Sequence, residues 1–249
     1  MDNSLLVSLS QQLAAFRAMD VIANNLANVS TPGFKREAAK FEELVMKVRP
    51  SEEQKGTQSV SFVKDAGILR DSSQGNVEVT GATYDVAIAG KGFFSVQTPS
   101  GMRYTRDGHF SLDANGNLVT SQGYQVQGDG GAITITPNDG EINISPDGTI
   151  SSVVNGVGNQ LAKLKMVDFA DPRAMTKEGA NLYSTTQTAI APETVNLRQG
   201  SLEASNVQPV IEISHMIEVM RAYDATSNLA KSQEDLMRQA IDKLGQMPA

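Results

Sequence analysis

Glycine is nearly absent from both ends of the chain and crowded into its middle. Residues 1–55 hold only Gly33 and residues 201–249 only Gly245, whereas 15 of the 21 glycines fall between Gly81 and Gly179. Glycine costs a helix interior about 0.5–1 kcal/mol relative to alanine and is at home in turns. The pattern therefore predicts helical ends around a turn-rich centre. The expected class is α+β: N- and C-terminal helices forming a coiled-coil-like pair, with a central, mainly antiparallel β-domain built as a sandwich or small barrel.

In the N-terminal segment 1–30 the helical pattern runs from about residue 3 to residue 29. Leu5, Leu9, Gln12, Phe16, Met19, Ala23 and Leu26 alternate spacings of four and three, the narrow stripe that a second helix covers. Ser30-Thr31-Pro32-Gly33 ends it, because the residue before proline avoids the helical region and glycine permits a sharp exit. In the C-terminal segment 209–249, Pro209 suits a first helical turn. Ile213, Met216, Met220, Tyr223, Ser227, Ala230, Glu234, Met237, Ile241 and Leu244 repeat the alternation. At ~1.5 Å per residue the helices reach roughly 40 and 53 Å. Spacing leaves two readings open: seams that need each other or another chain, or ordinary amphipathic helices on the protein's own core. Asn24, Asn25 and Asn28 flank the first seam; on a face meeting neighbouring chains their amides would fix register, since an unpaired amide is penalised.

Residues 31–80 read as a connecting segment. Phe34, Phe41, Leu44, Val45 and Val48 fit a short amphipathic helix, with Glu43 and Lys47 at i,i+4. Residues 49–56 read as an exposed loop and Val60-Ser61-Phe62-Val63 as a short strand. Over 81–185 the apolar residues alternate at period two, and Phe110-Ser111-Leu112, Asn115-Gly116 and Leu118-Val119-Thr120 make a strong hairpin signal. Residues 186–208 return the chain to the last helix.

Composition removes several function classes. With 21 basic and 28 acidic side chains the formal charge is −7, against nucleic acid as a main partner. Cysteine is absent, so no disulfide, thiol nucleophile or cysteine-based zinc site is possible. Met1-Asp2-Asn3 lacks the positive start of a secretory signal, and Arg17 and Asp20 interrupt the apolar run; the expectation is neither a cleavable signal nor membrane insertion. Gly90-Lys91-Gly92-Phe93-Phe94-Ser95 has serine where a dinucleotide loop needs its third glycine. Asp113-Ala114-Asn115-Gly116-Asn117 starts like a calcium loop, but Leu118 replaces the required glycine. His109 and His215 form no metal pair. Asp85, Asp107, Asp113, Asp129 and Asp147 could hold a glycosidase pair only if two stood about 5–10 Å apart in a groove. The expectation is no catalytic residue, no cofactor and no metal.

Three sequence blocks resemble the axial proteins of the bacterial flagellum, the rod, hook and basal-body family. Ala23-Asn24-Asn25-Leu26-Ala27-Asn28-Val29-Ser30-Thr31-Pro32-Gly33-Phe34-Lys35 is similar to that family's N-terminal signature. Its shared β-region is matched by Tyr84–Val96, Tyr104–Phe110 and Gly116–Gly123, and its C-terminal signature by Gly200–Val207 and Met216–Tyr223. The short length and the Met1–Val7 opening resemble proximal-rod members more than distal-rod or hook members. The resemblance implies a structural subunit stacking helically into the periplasmic rod of the basal body. Its partners would be copies of itself, other rod and axial proteins, and the flagellar type III export apparatus. It also implies an assembly interface drawn from Leu5, Leu9, Phe16, Met19, Ala23, Asn24, Asn25, Leu26, Asn28, Gly33, Phe34, Ile213, Met216, Met220, Tyr223, Met237, Ile241 and Leu244. Two rivals stay open: a secreted β-domain binding module, which would not need the helices, and a β-type hydrolase.

Overall fold

The computed structural model describes residues 2–48, 58–154 and 157–245. The chain divides into two compact units. One comprises Met1–Ala27, Glu37–Arg70 and Gln208–Ala249; the other comprises Asn28–Arg36 and Asp71–Val207.

The first unit holds both helices. Helix α1 (Asp2–Ala27) stops just before the Ser30–Gly33 breaker, and α2 (Pro209–Gly245) opens on proline. Gln208 caps α2 through its carbonyl, which accepts from the N–H groups of Ile211 and Glu212. The helices pack on each other, and an edge contact between Phe16 and Tyr223, ring centroids 4.8 Å apart, marks their seam. Leu5–Ala27 is, by length and composition, long and apolar enough to cross a membrane, so Arg17 and Asp20 do not by themselves exclude a span. In this fold Arg17 is answered by Asp65 at 3.2 Å.

Between the helices in sequence lies a hairpin, β1 (Glu37–Val48) and β2 (Gln58–Arg70), paired antiparallel along its length. The amphipathic helix expected from Phe34 to Val48 is therefore, over Glu37–Val48, a strand. Phe41, Leu44, Val45 and Val48 match helical spacing only because both faces of β1 carry apolar residues, and cross-strand pairing with β2 decides the matter. The strand expected at Val60–Val63 is the middle of the longer β2. A bulge falls where Lys40 pairs with Gly67 and Phe41 with Asp65; Gly67, at φ 107°, supplies the positive φ that such a bulge favours. The loop expected over 49–56 lies outside the described residues.

The second unit is the β-region. β3 (Val77–Val79) and β4 (Val86–Ile88) precede β5 (Phe93–Thr98), β6 (Gly101–Thr105), β7 (Phe110–Leu112), β8 (Leu118–Thr120), β9 (Gln125–Gly128) and β10 (Gly131–Ala132). β11 (Glu141–Ile144), β12 (Thr149–Val154) and β13 (Val157–Lys163) form a three-stranded antiparallel sheet. β14 (Met166–Val167), β15 (Thr176–Lys177) and β16 (Leu182–Ser184) join a larger sheet of order β15-β16-β6-β5-β9-β8-β7, with β10 on β9 and β14 on β5. β17 (Leu197–Gln199) pairs with β4 and β18 (Ser201–Glu203) with β3. The segment read as a simple return is thus bonded into the β-unit.

The expected hairpin is β7–β8. Asp113 accepts the N–H groups of Asn115 and Asn117, each at 2.8 Å, so the calcium-like stretch is a side-chain-capped turn. Inward-facing Val86, Phe94, Phe110, Leu118, Ile142 and Ile150 meet in one core. Gly108 makes this closure possible, because a Cβ there would fall 1.8 Å from the Val86 carbonyl oxygen.

Candidate functional site

Three charged side chains, remote in sequence, meet inside the β-unit. The Glu203 side chain is fully buried. Its Oε1 accepts from Lys35 Nζ at 2.5 Å and from the Gly75 N–H at 3.0 Å. Its Oε2 accepts from Arg106 Nε at 3.0 Å and Nη2 at 2.8 Å. Arg106 Nη1 reaches the carbonyls of Gly90 and Gly92, and Lys35 donates also to the Ser73 carbonyl. Burial lowers the Lys35 pKa; the Glu203 charge and hydrogen bond pull it back up, and the Arg106 charge adds to the lowering.

Close backbone approach makes this clasp possible. Gly33 sits at φ 68° with its N–H donating to the Glu203 carbonyl at 2.7 Å, and a Cβ there would lie 2.5 Å from the Arg106 carbonyl carbon. Asn206 completes the arrangement: its Oδ1 accepts the Arg36 N–H at 2.7 Å, and its Nδ2 donates to the carbonyls of Asp71 and Ser73 at 3.1 Å each. Residues 33–36, 71–75 and 200–206 are thereby stitched together. The donors and acceptors of the clasp satisfy one another, so its role is to hold segments, not to turn over a substrate.

The first unit has a second polar centre. Asn25 is fully buried. Its Oδ1 accepts the Glu37 N–H at 2.9 Å, and its Nδ2 donates to the Glu37 carbonyl at 2.7 Å and to Glu212 Oε2 at 3.0 Å. Arg70 pairs with Glu37 at 3.4 Å. This corrects the expectation that Asn25 faces a neighbouring chain: its amide is spent within its own. Gly33 and Phe34 are likewise buried internally, Phe34 with Lys177 Nζ 4.0 Å from its ring centroid. The remaining amides differ: Asn24 is exposed, and half-buried Asn28 accepts from the Thr31 hydroxyl at 3.2 Å.

The other residues expected at an interface divide into two sets. Met19, Leu26, Met216, Tyr223 and Met237 are half-buried. Leu5, Leu9, Phe16, Ala23, Ile213, Met220 and Ile241 are exposed. Leu244 lies in α2, its side chain outside the described set. On the first helix the deepest positions are Ser8, Val21, Ile22 and Asn25, so the packed face is rotated from the expected stripe. The uncovered surface takes in Leu5, Leu9 and Phe16 of the expected α1 stripe and Ile213 and Met220 of the α2 stripe, and adds Leu6, Leu13, Val210 and Ile217, which the spacing did not single out. Leu13 is 60% exposed and Val210 78%. Exposed apolar side chains grouped in this way are a usual mark of interaction surfaces in general.

Four of the five carboxylates weighed as catalytic candidates have local structural partners. Asp85 is buried, accepts from the Thr80 hydroxyl at 2.6 Å and lies 2.8 Å from His109 Nδ1. Asp107 accepts the His109 N–H at 2.9 Å, and burial raises its pKa. Asp147 accepts the Thr149 N–H and hydroxyl within its own turn, and Asp129 is exposed.

Three family models match the chain. Residues 5–35 match the flagella basal body rod protein, 87–152 the flagellar hook protein FlgE/F/G D1 domain, and 198–243 the flagellar basal body rod FlgEFG protein C-terminal model. Among curated relatives, the flagellar basal-body rod protein FlgF of Caulobacter vibrioides is 42% identical over 99% of this chain and 100% of its own. FlgF of Mesorhizobium japonicum is 34% identical over 98% and 99%. The flagellar basal-body rod protein FlgG of Buchnera aphidicola subsp. Acyrthosiphon pisum is 40% identical over 91% and 93%.

Proposed function

As a member of the flagellar basal-body rod family, this chain is a FlgF-like structural subunit of the rod, and we propose that it assembles through the uncovered apolar stripes of its two terminal helices. Assembly with copies of itself and with other rod and axial proteins follows from the family, whose members are not known as enzymes. The observation that carries the stripe reading is two separate rows, Leu5, Leu9, Leu13 and Phe16 on α1 and Val210, Ile213, Ile217 and Met220 on α2, each exposed on helices already packed on each other. Burying each such side chain against a neighbour is worth about 1.5–3 kcal/mol. Because head-to-tail contacts that fail to close generate a helical filament, different stripes meeting on successive subunits would build a shaft. We place this subunit in the proximal, periplasmic part of the rod, delivered through the flagellar type III apparatus.

Leu13→Asp and Ile217→Asp test the reading. Both positions are exposed in the single chain, so circular dichroism and thermal unfolding should stay near the parent's. Swimming should be lost, and basal bodies should lack the subunit. Normal motility with either variant incorporated contradicts the proposal.

A further inference from the structure

From the bonding of Asn25 we infer that this residue sets the axial register of α1 against α2, and with it the spacing between the two apolar stripes. The seam itself specifies register weakly. Its α2 face presents Met216, Tyr223, Ser227, Ala230 and Met237, where methionine and small residues adapt to displaced partners. Two antiparallel helices with such faces can slide by a turn, about 5.4 Å, and still bury comparable apolar area. A buried polar residue that is satisfied in only one alignment removes that freedom.

Asn25 meets that description. It is fully buried, both hydrogens of its Nδ2 are used, and its orientation is fixed. Flipping the amide would aim Oδ1 at two acceptors, the Glu37 carbonyl and Glu212 Oε2, and Nδ2 at the Glu37 N–H. Its three bonds span three elements: α1 supplies the amide, β1 the Glu37 backbone and α2 the carboxylate. Displacing α1 by three, four or seven residues would bring Ile22, Val21, Val29, Ala18 or Pro32 to the site, none with an amide side chain, or Asn28, which stands beyond the end of α1 with its amide oxygen bonded to the Thr31 hydroxyl. Displacing α2 toward its C-terminus would bring Met216 or Val219 opposite Asn25, and neither offers a carboxylate. Each alternative strands a buried donor, which is the costly outcome. The register follows from contacts within this unit alone. Only its consequence, a fixed offset between stripes, rests on the proposed assembly.

The chain has no cysteine, so two can be introduced for spin labels without background. Asp20→Cys and Lys231→Cys, both at exposed positions, report the α1–α2 offset by pulsed electron–electron resonance on the full chain. The parent should give one narrow distance. Asn25→Leu should broaden it or add a population shifted by about one helical turn, with helix content retained. Should Asn25→Leu fail to fold, Glu212→Met asks the same question while leaving both Asn25–Glu37 bonds in place, and Glu212→Gln, which keeps an acceptor, should restore the narrow distance. An unchanged distribution in folded Asn25→Leu or Glu212→Met, or a broad one in the parent, overturns the inference. The stripe substitutions test assembly separately, so failure of one does not mimic failure of the other.

Discussion

Replacing Glu203 with glutamine changes one atom and should unsettle the whole β-unit. The carboxylate accepts four N–H groups, two on each oxygen: Lys35 Nζ and Gly75 N–H on one, Arg106 Nε and Nη2 on the other. Glutamine keeps one oxygen and turns an NH2 group toward the other pair. In either orientation two buried donors face a third. Removing one partner from a buried ion pair costs about 3–5 kcal/mol, and each stranded donor about 1–3; the two figures overlap, so about 3–5 kcal/mol is the expected loss. That is a large part of a domain's typical 5–15 kcal/mol or so. The chain has no tryptophan, so urea unfolding is best followed by far-ultraviolet circular dichroism, with amide exchange over 33–36, 73–75 and 201–206 locating the change. A pH signature should accompany it. Burial already lowers the Lys35 pKa below its ordinary value of 10.5, and losing the Glu203 charge lowers it further. Between the folded value and 10.5 the unfolded chain binds more protons, so stability rises with pH across that window. The variant's deficit should therefore shrink as pH rises toward 10.5. A loss below about 1 kcal/mol, with Lys35 and Arg106 still protected, would refute the clasp.

Two further outcomes follow from the same unit. Gly33→Ala must hold φ near 68° with its Cβ against the Arg106 backbone, so the β-unit's thermal midpoint should drop by about 5 °C or more; an unchanged midpoint would show that the approach is looser than described. Asp107→Asn keeps an oxygen for the His109 N–H but removes a desolvated charge. Because the folded-state pKa of Asp107 is raised above 3.8, its ionisation costs stability once pH passes through that folded value. The variant should outlast the parent in thermal unfolding at neutral pH, with the gap closing in acid; a less stable variant at neutral pH would contradict this.

The helices were legible because their signals are local: glycine exclusion, four–three spacing, Pro209 at one start and Thr31-Pro32-Gly33 after one end. The β7–β8 hairpin was legible for a similar reason, since Asp113, Asn115 and Gly116 fold on themselves. What failed depended on distant partners. β1 carries Phe41, Leu44, Val45 and Met46 on both faces, so no period-two contrast survives, and β2, which decides its conformation, starts ten residues after β1 ends. The buried face of α1 is set by the hairpin as well as by α2, which is why Ser8 and Asn25 go in while Leu9 and Leu13 stay out. Lys35, Arg106 and Glu203 each stand within a recognised sequence block. Nothing local says that three charges 71 and 97 residues apart along the chain share one carboxylate site. The amides at 24, 25 and 28 stood out in the sequence, but nothing local says that the partners of Asn25 are Glu37 and Glu212 of the same chain.

A three-dimensional image reconstruction of basal bodies isolated from cells, with this subunit's density assigned, tests the assembly claim most directly. Leu13 and Ile217 should lie buried against neighbouring subunits, with α1 and α2 joined inside each subunit through Asn25 and Glu212. Density showing both stripes facing solvent, with the β-units making all the contacts between neighbours, would contradict the account.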